Sequence, residues 1–360
     1  MLKEKDVFEK GIQALKECFL PISSLEIVTL ERNIRDTEPD LLVKVRTKSA
    51  DQLILSEVKS QGTPKSTRNS VNALKNYLKN NPSSYGIVIA PYISPNSAEI
   101  CKEAGIGYLD LSGNCRIAFQ EVFINRENCP NKYPYKASIS SLYSPKSERI
   151  LRVLLTYPYR PWKTLELAEE AQVSPGMITH VRKKLDEEEW IESTREGFQL
   201  TEPSKLLQDW SENYSFRKNT MLDFHSIKPP SEVETEIAEV CDSMRIRYAL
   251  TGFSASNRLA PMVRSRRVMA YVDQDVDRLV EKLSLKPVDS GANVSLLNPY
   301  DEGVFWNAKE INGILITTPV QVYLDLVSYR GRGQEAADFL YQEIIQKSWQ
   351  QQKSSTTGSW

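Results

Sequence analysis

The sequence contains only two histidines, His180 and His225, among its 360 residues. A Ser-His-Asp triad, a zinc-hydrolase cluster or a Cys-His protease site would need at least one histidine in a recognisable motif, and neither residue lies in one. The five cysteines are scattered, without the paired spacing of a zinc site or a disulfide framework. We therefore expect free thiols in a reducing compartment and no active site built on histidine.

The chain also lacks a strong charge of one sign and a long apolar segment. Its net charge is -1 and its pI is about 6.3, so binding to nucleic acid would depend on local basic patches. No apolar run is long enough to cross a bilayer, and the first residues, which include Lys3, Glu4 and Lys5, lack the apolar core of a signal peptide. These absences predict a cytoplasmic protein with no membrane partner.

Two carboxylates and a lysine near the start of the chain are the clearest chemical signal. Asp40 precedes an apolar run that predicts a strand over 41–46, and Glu57 and Lys59 end a second run over 53–59. The short turn between the runs predicts an antiparallel pair, which would bring Asp40 beside Glu57. Residues two apart in a strand share a face, so Glu57 and Lys59 would point to the same place.

This trio has the chemistry of a metal-dependent phosphodiester hydrolase. Mg²⁺ or Mn²⁺ could be held by the Asp40 and Glu57 carboxylates and the Val58 carbonyl oxygen, and the ion would polarise the phosphoryl group. Lys59 could orient the attacking water and offset the charge that develops on the phosphate. The alternative is an ordinary charged turn and strand end, because such residues are common in a chain that is 26% charged.

The predicted elements around the trio follow a defined order. A helix is predicted over 3–18, a strand over 25–30, then the two strands that carry the trio. A further helix follows, with Val71, Leu74 and Leu78 on one face, and a buried strand is predicted over 85–90. The order is therefore one helix, three strands, one helix and one strand.

This order resembles the core of the PD-(D/E)XK restriction-endonuclease-like superfamily, whose motif residues match Asp40, Glu57 and Lys59. The resemblance implies a nuclease-like domain with a mixed sheet over residues 1–125. Some branches of the superfamily add a glutamate from the first helix, for which Glu9 is the candidate. The alternative for Glu9 is a solvated charge on the helix surface.

A second compact pattern follows a segment over 126–146 that is rich in Pro, Ser, Asn and Tyr and predicts a linker. Apolar residues at helical spacing predict two helices, and Ser174 followed by Pro175 predicts the start of a third. Two short strands around Gly197 complete the pattern of a winged-helix DNA-binding domain over 147–217.

The third helix of this pattern would carry the surface that meets DNA. If Ile178, Val181 and Leu185 face the core, a polar and basic face remains for the phosphates and base edges of a major groove. The alternative is a winged helix used for protein contact, because an acidic run over 186–189 follows. The predicted DNA contacts are Thr179, His180, Arg182, Lys183 and Lys184 on the helix, Arg195 at the wing tip, and Lys65 and Arg68 near the carboxylates.

The remaining region, over 218–349, predicts an α+β domain and carries weaker signals. A Gly-x-Ser over 252–254 and an Asp-x-Asp over 273–275 each follow a predicted strand, as in nucleotidyltransferases. An inactive relative and a coincidence are the alternatives. The segment 330–333 could grip a phosphate or end a helix. The tail over 350–360 is polar and predicts disorder.

Several segments of this region look like the AbiEi-type antitoxin family of type IV toxin-antitoxin systems, and the likeness covers the winged helix and this region together. Members of that family are winged-helix regulators encoded beside a nucleotidyltransferase-like toxin, so the resemblance implies promoter binding and neutralisation of that toxin. A nuclease-like first domain departs from the simplest two-part antitoxin. The segments are 250–255, 291–294, 298–304, 323–326 and 331–337.

Two hypotheses follow for this multi-domain α/β (α+β) chain. In the first, the winged helix delivers a Mg²⁺-dependent endonuclease to DNA. In the second, the protein is a non-catalytic regulator, and the restriction-endonuclease-like mixed sheet serves to bind DNA or a partner. Either way, the C-terminal domain is of a degenerate nucleotidyltransferase-like type or only coincidentally similar to one.

Overall fold

A computed structural model gives the architecture of the chain. Two compact units are formed, the first by Met1–Ser138 with Asp186–Glu189, and the second by Ile139–Leu185 with Trp190–Trp360. Each unit combines helices with a mixed sheet, so the predicted multi-domain α/β class is confirmed. Within the described part of the chain, no helix is both long and apolar enough to span a membrane. The described residues are 2–33, 38–134, 142–261, 267–329 and 331–357.

The first unit is built on a seven-stranded mixed sheet whose strands follow one another in chain order. They are β1 (Glu26–Arg32), β2 (Leu41–Arg46), β3 (Asp51–Val58), β4 (Tyr85–Ala90), β5 (Gly107–Asp110), β6 (Cys115–Phe119) and β7 (Val122–Arg126). The first three strands pair antiparallel, as do the last three, whereas β3, β4 and β5 pair parallel. Strands β5, β6 and β7 extend the sheet beyond the last strand that the sequence predicts, over 85–90.

Helices cover both faces of this sheet. They are α1 (Glu4–Phe19), α2 (Pro64–Asn80) and α3 (Pro95–Glu103), so the predicted order around the trio is confirmed. Ile54 and Ile87 point to one face and share a core with Leu15 of α1. Leu55 points to the other face and shares a second core with Leu74 of α2. Successive strand residues point to opposite faces, so a continuous apolar run buries both sides.

The second unit begins with the predicted winged helix, whose elements are all present. Its third helix starts at Pro175, and the Ser174 hydroxyl accepts a hydrogen bond from the Met177 N–H at 3.4 Å, as expected for a helix cap. Trp162 and Phe198 exchange backbone hydrogen bonds beside the wing. The elements are α4 (Pro145–Thr156), α5 (Thr164–Glu170), α6 (Pro175–Glu187), β8 (Ile191–Ser193) and β9 (Phe198–Leu200).

A second seven-stranded mixed sheet follows the winged helix, in the order β13-β10-β14-β12-β11-β16-β15. Its strands are β10 (Thr220–His225), β11 (Tyr248–Leu250), β12 (Val268–Val272), β13 (Lys286–Pro287), β14 (Val294–Asn298), β15 (Lys309–Ile311) and β16 (Ile314–Ile316). The helices of this region are α7 (Pro203–Asn213), α8 (Pro230–Met244), α9 (Gly252–Leu259), α10 (Val276–Lys282), α11 (Pro319–Val327), α12 (Gly333–Leu340) and α13 (Lys347–Thr357), with a π-helical segment over Tyr341–Gln346 before α13.

The winged helix and this sheet share one continuous core. Leu154 of α4, Trp210 of α7 and Leu324 of α11 are all buried in it. An ion pair reinforces the contact, because Arg149 Nε donates to Asp301 Oδ1 at 2.7 Å and both side chains are buried. The second unit therefore packs as a single body.

The prediction of a disordered tail is wrong for residues 350–357, because α13 continues through Thr357. Trp349 is buried and donates its indole N–H to the Leu155 carbonyl at 2.7 Å. Gln352 donates to the Thr156 carbonyl at 3.1 Å. These contacts with the end of α4 fix a helix whose own composition is polar, and composition alone does not reveal them.

Candidate functional site

The carboxylates singled out by the sequence lie side by side in the first unit. Asp40 immediately precedes β2, and Glu57 lies one residue before the end of β3. The two strands pair antiparallel with Leu41 opposite Ser56. The Val58 N–H donates to Asp40 Oδ2 at 2.7 Å, so the register of the hairpin fixes Asp40 next to the end of β3.

Lys59 joins the two carboxylates into one ion-paired cluster. Its ammonium nitrogen lies 2.6 Å from Glu57 Oε2 and 3.4 Å from Asp40 Oδ2. The Lys59 N–H donates to the Ile89 carbonyl at 2.9 Å, which continues the pairing of β3 with β4 by one residue. This extended backbone keeps the Lys59 side chain on the same face as that of Glu57.

Burial and charge act in opposite directions on this cluster. Burial raises the pKa of Glu57, and the Asp40 charge adds to the rise, while the Lys59 ammonium opposes it. Burial lowers the pKa of Lys59, but the Glu57 and Asp40 carboxylates outweigh this effect and leave that pKa raised. Glu57 is thus a carboxylate whose charge is costly in its surroundings and is offset by a fixed cation.

The donor set fits a hard divalent cation that keeps several ligand positions for water or substrate. Mg²⁺ takes one or two protein carboxylates with water and phosphate oxygens, and Asp40 and Glu57 supply two. Among the described residues, no cluster of three or more His, Cys, Asp or Glu side chains could hold a metal alone. The site therefore suits a metal shared with a phosphate-containing ligand better than a closed structural metal site.

Tyr77 is a neighbour of this cluster that the sequence analysis misses. It lies on α2, close enough to the cluster for its hydroxyl and the Glu57 carboxyl to shift each other's pKa. Burial raises the pKa of Tyr77, and the charges of Glu57 and Asp40 raise it further. Its position three residues after Leu74, which faces the sheet, is the one sequence signal for this contact. Glu9 is exposed on α1, as its solvated-charge alternative expects.

The winged helix exposes part of the predicted DNA-binding surface. Ile178, Val181 and Leu185 are buried, so the predicted inward face of α6 is confirmed. The opposite face is open to solvent, and the turn between β8 and β9 is exposed as well. The exposed members of the predicted DNA-contact set on these two elements are Thr179, Lys183 and Arg195.

Three other predicted contacts on α6, Arg182, His180 and Lys184, are only partly exposed. Arg182 Nη2 donates to Ser193 Oγ at 3.0 Å, and its guanidinium lies 5.1 Å from the Phe198 ring centroid. Arg182 thereby ties α6 to the wing. His180 Nε2 is buried, and no hydrogen-bond partner for it lies among the described residues.

Lys65 and Arg68 are exposed on α2. Each forms an ion pair with a carboxylate of the segment Asp186–Glu189, which belongs to the first unit. Lys65 Nζ lies 2.7 Å from Asp186 Oδ2, and Arg68 Nε lies 2.9 Å from Glu189 Oε1. Solvent-exposed ion pairs of this kind contribute about 0–1 kcal/mol to the free energy of unfolding. Both cations therefore stay available to a more highly charged anion.

The residues that match a nucleotidyltransferase pattern do not converge. Ser254 is buried and accepts a hydrogen bond from the Met269 N–H at 3.1 Å. Asp273 follows the opposite end of β12, where it accepts a hydrogen bond from Arg247 Nε at 2.7 Å. Four strand residues, roughly 13 Å, separate the two ends, which is too far to hold one phosphate and its metal. Arg330 lies outside the described residues.

A buried polar cluster in the second unit is also absent from the sequence predictions. Asp325 of α11 accepts hydrogen bonds from Tyr214 Oη at 2.6 Å, Thr251 Oγ1 at 2.5 Å, Gln321 Nε2 at 3.0 Å and Tyr271 Oη at 3.0 Å. Burial raises the pKa of Asp325, and these four donors act in the opposite direction. The cluster ties the end of α7 and the start of α9 to α11 and β12.

By its fold, the second unit belongs to the class of proteins with a winged-helix domain. Here the core of the winged helix continues into that of a mixed α/β sheet. Residues 199–346 match a family model described as transcriptional regulator, AbiEi antitoxin, type IV toxin-antitoxin system, which confirms the resemblance in this region. No curated protein and no solved structure matches the chain. The match begins after most of the winged helix, so the resemblance of residues 147–198 to this family stays a prediction. It also leaves out Asp40, Glu57 and Lys59, so the PD-(D/E)XK resemblance is not supported by it and stays a prediction as well.

Proposed function

We propose that this protein is a DNA-binding transcriptional regulator that acts as the antitoxin of a type IV toxin-antitoxin system. The observation that carries the proposal is the match of residues 199–346 to regulators of that description. This region lies in the same compact unit as the winged helix and shares its core. The buried Arg149–Asp301 ion pair joins the two, so a partner bound to the matched region acts on a body that includes the DNA-binding helix.

The DNA contacts in this proposal are divided between α6 and the wing. Thr179 and Lys183 face solvent on α6, where base edges and phosphates of a major groove would be reached. Arg195 at the wing tip would contact phosphates beside that groove. Arg182 acts indirectly, because its contacts with Ser193 and Phe198 hold the wing against α6.

The proposed partner is the toxin, which we expect to be a nucleotidyltransferase-like enzyme encoded beside the regulator. The wide separation of Ser254 from Asp273 supports a toxin on a separate chain, because this pair of residues does not form a nucleotidyltransferase active site here. Expression of the neighbouring gene should arrest growth, and co-expression of this protein should relieve the arrest. Absence of a toxic neighbouring gene would count against the antitoxin role.

Fluorescence anisotropy with a duplex taken from upstream of its own gene tests DNA binding directly, with EDTA present to prevent cleavage. Neutralising Lys183 and Arg195 together, as K183Q/R195Q, should weaken binding to this duplex. Losing two phosphate contacts should also lower the slope of log K against log salt by about 2. The matched control is K282Q/K309Q, which neutralises two exposed lysines elsewhere in the second unit. Equal salt slopes for the two variants would assign the winged helix to protein contact.

A second candidate function is a metal-dependent DNA endonuclease, favoured by the convergence of Asp40, Glu57 and Lys59. In this proposal the two carboxylates, with the Val58 carbonyl, hold Mg²⁺ or Mn²⁺, which when bound would polarise a phosphoryl oxygen. Lys59 would orient the attacking water and offset charge on the phosphate. Tyr77 would hold the Glu57 carboxylate in place through its hydroxyl.

Cleavage and metal binding test this second function separately. Supercoiled, linear, branched and single-stranded DNA are incubated with Mg²⁺ or Mn²⁺, and Lys59→Ala should abolish any cleavage. Mn²⁺ binding, measured by calorimetry, should be lost in Glu57→Gln and kept in the control Glu9→Gln. Because burial raises the pKa of Glu57, binding should weaken on acidification already above the ordinary glutamate value of about 4.3. Absence of both cleavage and saturable Mn²⁺ binding would refute the nuclease.

A further inference from the structure

One face of α2 in the first unit carries an unusual surface. Every exposed residue of this helix is a lysine, an arginine or an asparagine. They recur every three or four residues, so they form one stripe along the helix, which is about 25 Å long at 1.5 Å per residue. We call this surface the α2 stripe, formed by Lys65, Arg68, Asn69, Asn72, Lys75, Asn76, Lys79 and Asn80.

Acidic residues are missing from α2, although the chain as a whole contains 47 acidic and 46 basic residues. A helix face that is merely solvated usually mixes both signs, because oppositely charged residues four apart stabilise it. Lys75 and Lys79 are instead like charges four apart, and the asparagines of the stripe are weak helix formers. Local helix stability therefore does not account for this composition, and binding to an anionic partner does.

The chemistry of the α2 stripe selects a nucleic-acid backbone over a protein surface. Lysine and arginine supply the salt-dependent attraction to phosphates, and asparagine side chains donate hydrogen bonds to phosphate and sugar oxygens. A protein interface needs an apolar or aromatic centre, and the stripe contributes no such residue. Lys65 and Arg68 already pair with Asp186 and Glu189 of the same chain, so Lys75 and Lys79 at the other end of the helix carry the test of this surface.

We propose that the α2 stripe is a second DNA-binding surface, which contacts the phosphate backbone of duplex DNA without reading its sequence. It uses neither the predicted contacts Lys183 and Arg195 of the winged helix nor any cleavage at Asp40 and Glu57. The protein would then hold DNA through two surfaces, one on each unit.

The test neutralises Lys75 and Lys79 together, as K75Q/K79Q, in the full chain. The matched control K5Q/K48Q removes two exposed lysines of the first unit that lie outside α2. Anisotropy is measured with a duplex of unrelated sequence in EDTA over a series of salt concentrations. The stripe variant should bind several-fold more weakly at low salt, and its slope of log K against log salt should fall by about 2. The control should match the wild type.

A footprint on the unmodified chain gives a second readout that needs no variant. Amine acetylation followed by mass spectrometry should show that duplex DNA protects Lys75 and Lys79, while Lys5 and Lys48 react as in free protein. Unchanged slopes for K75Q/K79Q together with unprotected Lys75 and Lys79 would overturn the proposal and leave an acidic protein as the partner of the stripe. Failure of the winged helix is distinguishable, because it would remove the effect of K183Q/R195Q and leave that of K75Q/K79Q.

Discussion

Asp325 shows how a single buried carboxylate can organise a protein core. It is fully buried and receives hydrogen bonds from the side chains of Tyr214, Thr251, Gln321 and Tyr271. These residues come from positions over a hundred residues apart in the chain. A sequence cannot show such a cluster, because each member is an ordinary polar residue until the fold brings them together.

Replacing Asp325 with asparagine should destabilise the second unit by about 1–3 kcal/mol, because an amide NH₂ would face groups that donate and leave some of them unpaired. The free energy of unfolding in urea measures the loss. Asp338→Asn on the exposed surface of α12 is the matched control and should change stability little. An Asp325→Asn protein as stable as the control would show that the cluster does not depend on the carboxylate.

The same substitution has a pH signature. Burial raises the pKa of Asp325, so the folded state binds a proton more tightly than the unfolded state. The stabilisation from this proton is present below the ordinary aspartate pKa of about 3.9 and is lost as pH rises through the raised value. Unfolding curves from acidic to neutral pH should show this slope in the wild type and not in Asp325→Asn. A parallel pH dependence of the two proteins would contradict the assignment.

Among the secondary-structure elements, the wing depends on a glycine. Any other residue at this position would force the neighbouring backbone to move. Gly197 lies between β8 and β9 with φ +156°, and a Cβ atom built there would lie 2.3 Å from the Trp162 carbonyl oxygen. Trp162 exchanges two backbone hydrogen bonds with Phe198, so this strand pairing has little room to move. The close approach of two backbones therefore requires glycine.

Gly197→Ala should destabilise the second unit by about 1–3 kcal/mol through overpacking and should weaken DNA binding, because the wing carries Arg195. Thermal unfolding and anisotropy with the upstream duplex measure the two effects. The matched control is Gly176→Ala within α6, where a Cβ atom would meet nothing closer than 4.0 Å and alanine favours the helix. Equal stability of the two alanine variants would contradict the close packing of the wing.

Elements with strong local signals are predictable from the sequence, and those that depend on distant contacts are not. The Ser174-Pro175 start of α6 and the apolar run of β2 are local, and the structure contains both. The helix α13 depends on the burial of Trp349 against a residue almost two hundred positions earlier. The same reason explains why Tyr77 beside Glu57 is missed, whereas a two-strand hairpin is enough to bring Asp40 to Glu57.

The separation of Ser254 and Asp273 illustrates the limit of motif spacing. Both residues flank the predicted strands, as a nucleotidyltransferase pattern requires. The register of β11 with β12 then decides which ends meet, and Leu250 lies opposite Ala270. This register leaves the two side chains at opposite ends of β12. The sequence therefore contains the motif, but the fold does not bring its residues together.

At the scale of the whole molecule, the shared core makes the second unit one folding unit. Leu154 and Trp210 from the winged-helix region are buried in the same core as the sheet and α11. Arg152 of α4 is buried and donates to Gln321 Oε1 at 2.8 Å. Removing the residues after 217 would expose these groups to water and leave the Arg152 hydrogen bond without its acceptor.

The fragment 142–360 should therefore unfold in a single cooperative transition, while the winged-helix fragment 142–217 should lack cooperative unfolding on its own. Exposed apolar surface would give that fragment helical far-ultraviolet dichroism, weak near-ultraviolet signals and binding of a hydrophobic dye. Calorimetry and the coincidence of transitions followed by different probes decide between the two behaviours. A cooperative transition of 142–217 alone would show that the winged helix folds independently. The shared core would then no longer explain how a partner bound to residues 199–346 could affect DNA binding.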